Sequence, residues 1–171
     1  VIDGERGLGN ELCFPAGPLR EPVSRLKEVD LVVVNGDRSR VSHLSSGPCM
    51  EMQLNPTRLV NIKTGSVETL ESVKGKTVHA VVGISNPERF FSTLKKLGCT
   101  LVPHQYPDHH PFTAADINFD DELPVIMTEK DAVKLDPLTL DDGCDQFWYL
   151  EVEATFTSSE LDRLLQRLEL S

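Results

Sequence analysis

Four short apolar runs constrain this chain most: DLVVVNG at 30–36, TVHAVVGI at 77–84, CTLVPH at 99–104 and LPVIMT at 123–128. Each has the length and β-branched content of a buried strand, and none alternates cleanly between apolar and polar residues. A strand that is apolar on both faces must be covered on both, which is the situation of a parallel sheet between layers. Patterns of helical period fall between the runs. The expected class is therefore α/β: a three-layer α/β/α lobe with a mostly parallel sheet and a small antiparallel or ribbon part. Two stretches break the rhythm. MEMQLNPTRLVNIKTGSVETL at 50–70 reads as short antiparallel strands around a turn at Thr64-Gly65, and FWYLEVEATF at 147–156 alternates like a half-buried edge strand or linker ribbon.

Helix starts are marked between the strands. In GISNPERFFSTLKKLG, Pro87 suits the first helical position behind Asn86, and Ser85 with Glu88 offers a capping box one residue earlier. Phe90, Phe91, Leu94 and Leu97 then share a face before Gly98 ends the helix. Thr113 with Asp116 and Thr128 with Asp131 make further capping boxes. Thr157 with Glu160 opens a terminal helix that would turn Leu161, Leu164, Leu165 and Leu168 inward.

At 171 residues the chain suits one domain and can bury a core without disulfides. With 39% apolar and 26% charged residues it is globular, and a net charge of −10 argues against a general nucleic-acid partner, whose phosphates call for a basic surface. Cys13, Cys49, Cys99 and Cys144 are far apart with no C-x-x-C, which fits neither a zinc site nor a disulfide framework and suits a reducing setting. Cys99, in an apolar run, reads as a core thiol. No apolar stretch approaches the ~20 residues that cross a bilayer. The chain opens on VIDGERG, without Met, and reads as one that starts partway through something longer.

Three segments could carry chemistry. Gly75-Lys76-Thr77 has the tail of a P-loop but lacks the glycine five positions earlier and leads into a strand. FPAGPLREP stiffens its backbone with Pro15, Pro18 and Pro22 and presents Arg20 and Glu21. An arginine there suits bidentate capture of phosphate or carboxylate, and a solvated rigid loop is the plainer reading. QYPDHHPFTAADI, at 105–117, places Asp108, His109 and His110 between prolines. A metal clip using these three and His104 is disfavoured, because adjacent histidines point apart and no further ligand cluster is visible. A capped turn and an Asp–His proton-handling unit both remain open, with the turn ahead on physical grounds alone.

Taken together and in order, VIDGERGLGN…FPAGPLREP, RLKEVDLVVVNG, AVVGISNPERFFSTLKKLG, YPDHHPFTAADI and PVIMTEKDAVK resemble the tetraacyldisaccharide 4'-kinase family of lipid A biosynthesis. The resemblance covers essentially the whole chain and is least distinctive around residues 40 to 75. It implies the C-terminal lobe of a two-lobe P-loop kinase, with a ribbon near 147–156. The implied reaction moves the γ-phosphate of ATP, with Mg²⁺, to the 4'-hydroxyl of an acylated glucosamine disaccharide 1-phosphate. The implied setting is the cytoplasmic face of the bacterial inner membrane, reached peripherally through an N-terminal region, with the protein a monomer. The P-loop, the general-base Asp and the carboxylates near Mg²⁺ would lie upstream, so the chain alone is expected to be inactive. His109 matches a histidine that assists the catalytic carboxylate of the other lobe, with Asp108 and His110 in weaker support. Arg20 and Glu21 match a pair at the acceptor-lipid pocket, and no metal ligand is implied among these residues. The competing reading is a non-catalytic α/β module that binds lipid or protein; a metal-dependent hydrolase at Asp108, His109 and His110 is a third.

Overall fold

In the computed structural model, residues 1–41, 47–137, 140, 145–157, 162, 165 and 166 are described. The strands are β1 (Ile2–Asp3), β2 (Val32–Asn35), β3 (Cys49–Asn61), β4 (Val67–Glu68), β5 (Thr77–Val82), β6 (Thr100–Gln105), β7 (Val125–Thr128) and β8 (Phe147–Phe156). Among the described residues they are joined by the α-helices α1 (Pro87–Lys96) and α2 (Glu129–Ala132). All four apolar runs thus form strands. The chain divides into two compact units, Val1–Asn55 with Ala154–Ser171, and Pro56–Glu153, the division falling within β3 and β8.

In the second unit the order is β8-β7-β5-β6, and each neighbouring pair is parallel. The central β5 is buried on both sides from Val78 to Val82, as its nearly continuous apolar run requires. Val78, Ala80 and Val82 face Phe90, Phe91 and Leu94 of α1, while Val81 faces Phe112, Ile117 and Leu135. The first face is covered by a true helix, with Pro87 at its start and Gly98 turning the chain at φ +89° after its end. The second face is covered by irregular chain and a 3₁₀ turn at Ala114–Asp116, so the second helical layer is short of helix. The α/β class with a mostly parallel sheet stands.

The two irregular stretches also resolve. Residues 49–61 form one long strand rather than several; its end pairs antiparallel with β4 around a turn in which Gly65 takes φ +69° and Asn61 accepts from the backbone of Lys63 and Thr64. β8 lies between β3 and β7, so it is an interior strand and not an edge. Gly75-Lys76-Thr77 turns into β5 and opens no helix.

In the first unit β1, β2 and the start of β3 are parallel, over a small core of Val32, Val34 and Val41. Its glycine-rich loop is tightly crossed: a Cβ on Gly17 would strike the Asn10 side chain and the Leu12 carbonyl, and Asn10 donates to Ala16 O at 2.9 Å. The Phe14–Pro15 peptide in this loop is cis. Of the expected terminal helix, Leu161, Leu164 and Leu168 lie outside the described residues, as does Cys144; Leu165 is exposed.

Candidate functional site

The chain leaves β5 for β6 on one side and later returns to β7 on the other. Neighbouring connections therefore diverge at the carboxyl end of β5, the place where open α/β sheets gather ligands. Three segments meet at these strand ends: Gly83–Asn86 after β5, Tyr106–His110 after β6, and the turn of α2 after β7.

Asp108 joins all three. Its Oδ2 accepts the Ser85 hydroxyl at 2.5 Å, and its Oδ1 accepts Lys130 Nζ at 3.2 Å and the His109 backbone N–H at 3.0 Å. The Ser85 hydrogen bond does most to pull the Asp108 carboxyl down to about 2; partial burial opposes this, and Lys130 and His109 add to the lowering. Asp108 is thus held as a carboxylate.

His109 takes φ +64°, a left-handed conformation that costs energy for a residue with a Cβ. Its N–H also reaches Gly83 O at 3.2 Å, while its ring is 75% exposed with Nε2 at 3.9 Å from Asp108 Oδ2. The backbone is pinned and the imidazole is presented to solvent. His110 turns the other way. Its ring stacks on Tyr106 at 4.6 Å, meets Phe112 edge-on at 4.8 Å, and brings Nε2 to 3.4 Å from Asp116 Oδ1 without hydrogen-bond geometry. Burial raises the Asp116 carboxyl, but two hydrogen bonds from Thr113 and the nearness of His110 outweigh it and leave it lowered. The Thr113–Asp116 capping box is present. Adjacent histidines do diverge: one faces solvent, the other packs.

Arg20 and Glu21 lie in the other compact unit, both exposed. Glu21 pairs with Arg25 at 3.7 Å, and Arg20 has no ion pair among the described residues. A second histidine cluster forms within the Pro56–Glu153 unit. His79 Nδ1 is 2.8 Å from His104 Nε2, and His79 Nε2 is 3.1 Å from both oxygens of Asp121. Phe119 stacks on both rings. An open groove of about 720 Å³ beside Phe119 and Asp121 runs past Lys76, Pro124 and Gln146. These residues precede β5, β7 and β8, so the groove is at the opposite strand ends from Asp108. Among the described residues no group of three or more His, Cys, Asp or Glu side chains is placed to hold a metal ion.

The family model for tetraacyldisaccharide-1-P 4'-kinase matches residues 1–169. The chain belongs to this family. A tetraacyldisaccharide 4'-kinase of Hahella chejuensis is 45% identical over 168 residues, covering 98% of this chain and 47% of that protein. One of Legionella pneumophila is 48% identical over 159 residues, covering 93% of this chain and 45% of its relative. The chain spans about half the length of these curated relatives. A crystal structure of the "apo" form of LpxK from Aquifex aeolicus in complex with ATP has a similar fold, with a TM-score of 0.65 at 22% identity, over 92% of this chain and 48% of that one.

For this member of the 4'-kinase family, sequence reasoning missed three residues at the Asp108 site. Ser85 reads as half of a capping box with Glu88, yet its hydroxyl is taken by Asp108. Lys130 does not stand out in the sequence, and it too reaches Asp108. Asp131 does keep its expected partner Thr128, but as a fully buried carboxylate it also accepts Gly83 N at 2.8 Å and Lys134 Nζ at 2.7 Å. One signal could have found them: both capping patterns directly follow strands expected to be parallel, which puts their first turns at one edge of the sheet.

Proposed function

We propose that this chain contributes a histidine-bearing loop to the transfer of the ATP γ-phosphoryl group to the 4'-hydroxyl of a tetraacyl glucosamine disaccharide 1-phosphate, a step of lipid A biosynthesis. The observation that carries the reading is the Asp108–His109 loop, with a pinned backbone, a neighbouring carboxylate and a ring open to solvent at the carboxyl ends of parallel strands. In such a transfer the acceptor hydroxyl must give up a proton as charge shifts through the transferred group. An accessible imidazole can take or share that proton, or hold the carboxylate that does, and the Asp108 carboxylate steadies the imidazolium that results. His110, packed between Tyr106 and Phe112, shapes the loop instead.

Arg20, exposed and rigidly based, is assigned to the phosphate of the acceptor, and Glu21 to its hydroxyls. The residues present do not fit ATP and Mg²⁺. Gly75-Lys76-Thr77 opens a strand, and no set of carboxylates among the described residues is placed for a metal ion. The site of ATP and Mg²⁺ is assigned to the half of the kinase that these residues do not cover, and the chain alone is expected to be inactive. Among the described residues no helix is long and apolar enough to cross a membrane. Peripheral attachment at the cytoplasmic face of the inner membrane, as a monomer, belongs to the same proposal.

Steady-state kinetics on the full-length kinase test it. His109→Ala is expected to lower kcat by roughly 10²–10⁴, the range for assisted proton transfer, and an unchanged kcat removes His109 from the mechanism. Arg20→Ala is expected to raise the acceptor KM by a factor corresponding to about 1.5–3 kcal/mol, the worth of a charged hydrogen bond. An effect confined to the KM for ATP would place Arg20 in a different pocket.

A further inference from the structure

We infer that Lys130 and Ser85 are positioning residues for His109, acting through Asp108; the inference rests on the role proposed above for His109. Asp108 is the only side chain among the described residues that these two share, and it ties the exits of three strands together. Ser85 comes from the loop after β5, Lys130 from the turn after β7, and Asp108 itself from the loop after β6. The same carboxylate accepts the backbone N–H of His109. Its two grips therefore fix the residue whose left-handed backbone aims the ring.

The neighbour of Lys130 grips from the other side. Asp131, fully buried, accepts Gly83 N, and Gly83 O accepts His109 N at 3.2 Å. Gly83 cannot carry a side chain here, because a Cβ would lie 2.8 Å from the Phe112 ring. Consecutive residues of MTEKDAVK thus reach the His109 amide by two routes, one exposed through Asp108 and one buried through Gly83. The exposed route suits a test. Lys130 is half exposed, so its ion pair adds little to stability, and Ser85 is also at the surface. What the pair sets is placement, and a misplacement of about 1 Å can cost on the order of 10²-fold in rate.

The experiment is a mutant cycle in the full-length kinase, comparing Lys130→Met, Ser85→Ala, His109→Ala and the His109→Ala/Lys130→Met double variant. The expected result is that Lys130→Met and Ser85→Ala each lower kcat by about 10- to 100-fold, with both KM values and the unfolding midpoint unchanged. In the His109→Ala background Lys130→Met should do nothing further, because residues acting through one group are not additive. Lys130→Arg, which keeps the charge on Asp108, should restore most of the rate. In this chain itself, Lys130→Met should move the NMR signal of the His109 amide. An equal loss from Lys130→Met with and without His109 overturns the inference, since Lys130 would then act on its own. So does a rise in either KM at constant kcat, or an unmoved amide signal. If His109→Ala lowers kcat while Lys130→Met and Ser85→Ala are silent, only this inference falls. If His109→Ala is itself silent, the proposed function falls and takes this inference with it.

Discussion

Two clusters within the Pro56–Glu153 unit use the same residue types to opposite ends. At the carboxyl edge of the sheet, the His109 ring is 75% exposed, beside a carboxylate occupied by a hydroxyl, an ammonium and a backbone amide. Farther down β5, the His79 side chain is only 6% exposed and both of its nitrogens are engaged. Asp121 can only accept while ionised, so Nε2 of His79 carries a proton, and Nδ1 of a neutral His79 then accepts from Nε2–H of His104. Phe119 stacks on both rings. The difference teaches that a histidine near an aspartate is not in itself a catalytic signature. What separates the clusters is which atoms remain unspent: around His109 the protein satisfies the backbone and leaves the ring, whereas around His79 it satisfies the ring.

The sharpest way to break this contrast is to exchange the consequences. His109→Ala should cost the full-length kinase its 10²–10⁴ in kcat while changing stability by no more than about 0.5 kcal/mol, as at other surface positions. His79→Ala should do the reverse. It removes a buried ring and two hydrogen-bond partners, and about 2–4 kcal/mol of unfolding free energy should go with them, read from urea denaturation. If His79→Ala leaves stability intact, the buried cluster is not structural and the contrast fails. A smaller effect sharpens the picture of the exposed site. His109 sits at φ +64°, where glycine is unstrained, so His109→Gly should stabilise the fold by about 0.5–1 kcal/mol while abolishing the contribution to rate. A destabilised glycine variant would mean that the ring, and not the backbone, holds the loop.

Much of the scaffold was legible because it rests on short-range patterns. Four apolar runs became strands, Pro87 and Gly98 bounded α1, and Thr113–Asp116 and Thr128–Asp131 kept their pairings. The Asp108–His109–His110 loop stood out through its prolines, and Arg20 with Glu21 through theirs. What stayed hidden depends on which strands become neighbours. FWYLEVEATF alternates as an edge strand should, yet its place between β3 and β7 is decided by strand order, which no local pattern encodes. Ser85 reads as a cap for its own helix; Asp108, 23 residues away in sequence, takes its hydroxyl instead. His79 drew no attention in its apolar run and His104 only as a possible fourth metal ligand, and they meet only because β5 and β6 are adjacent and in register, with His79 opposite Val102 and His104 opposite Val81.

The smallest effect expected is also the one that probes the buried cluster most directly. His104 titrates below the ordinary histidine value of 6.5, first because burial disfavours its charged form and next because His79 is close, with Asp121 opposing both. A histidine whose folded value is depressed binds fewer protons folded than unfolded. Its contribution is therefore fully present above about pH 6.5 and is lost as pH falls through the folded value. Asp121 is lowered too, chiefly by the Leu123 backbone N–H, but a carboxylate titrates well below this window and does not confuse it. Urea unfolding at about pH 7.5 and about pH 5.5 should show the wild-type chain losing stability on acidification, and His104→Gln losing less. Equal losses would mean that His104 takes up its proton in the folded state as easily as in the unfolded one. The packed cluster would then behave like the open site, and the burial of its rings would no longer explain why one His–Asp grouping is structural and the other is available for chemistry.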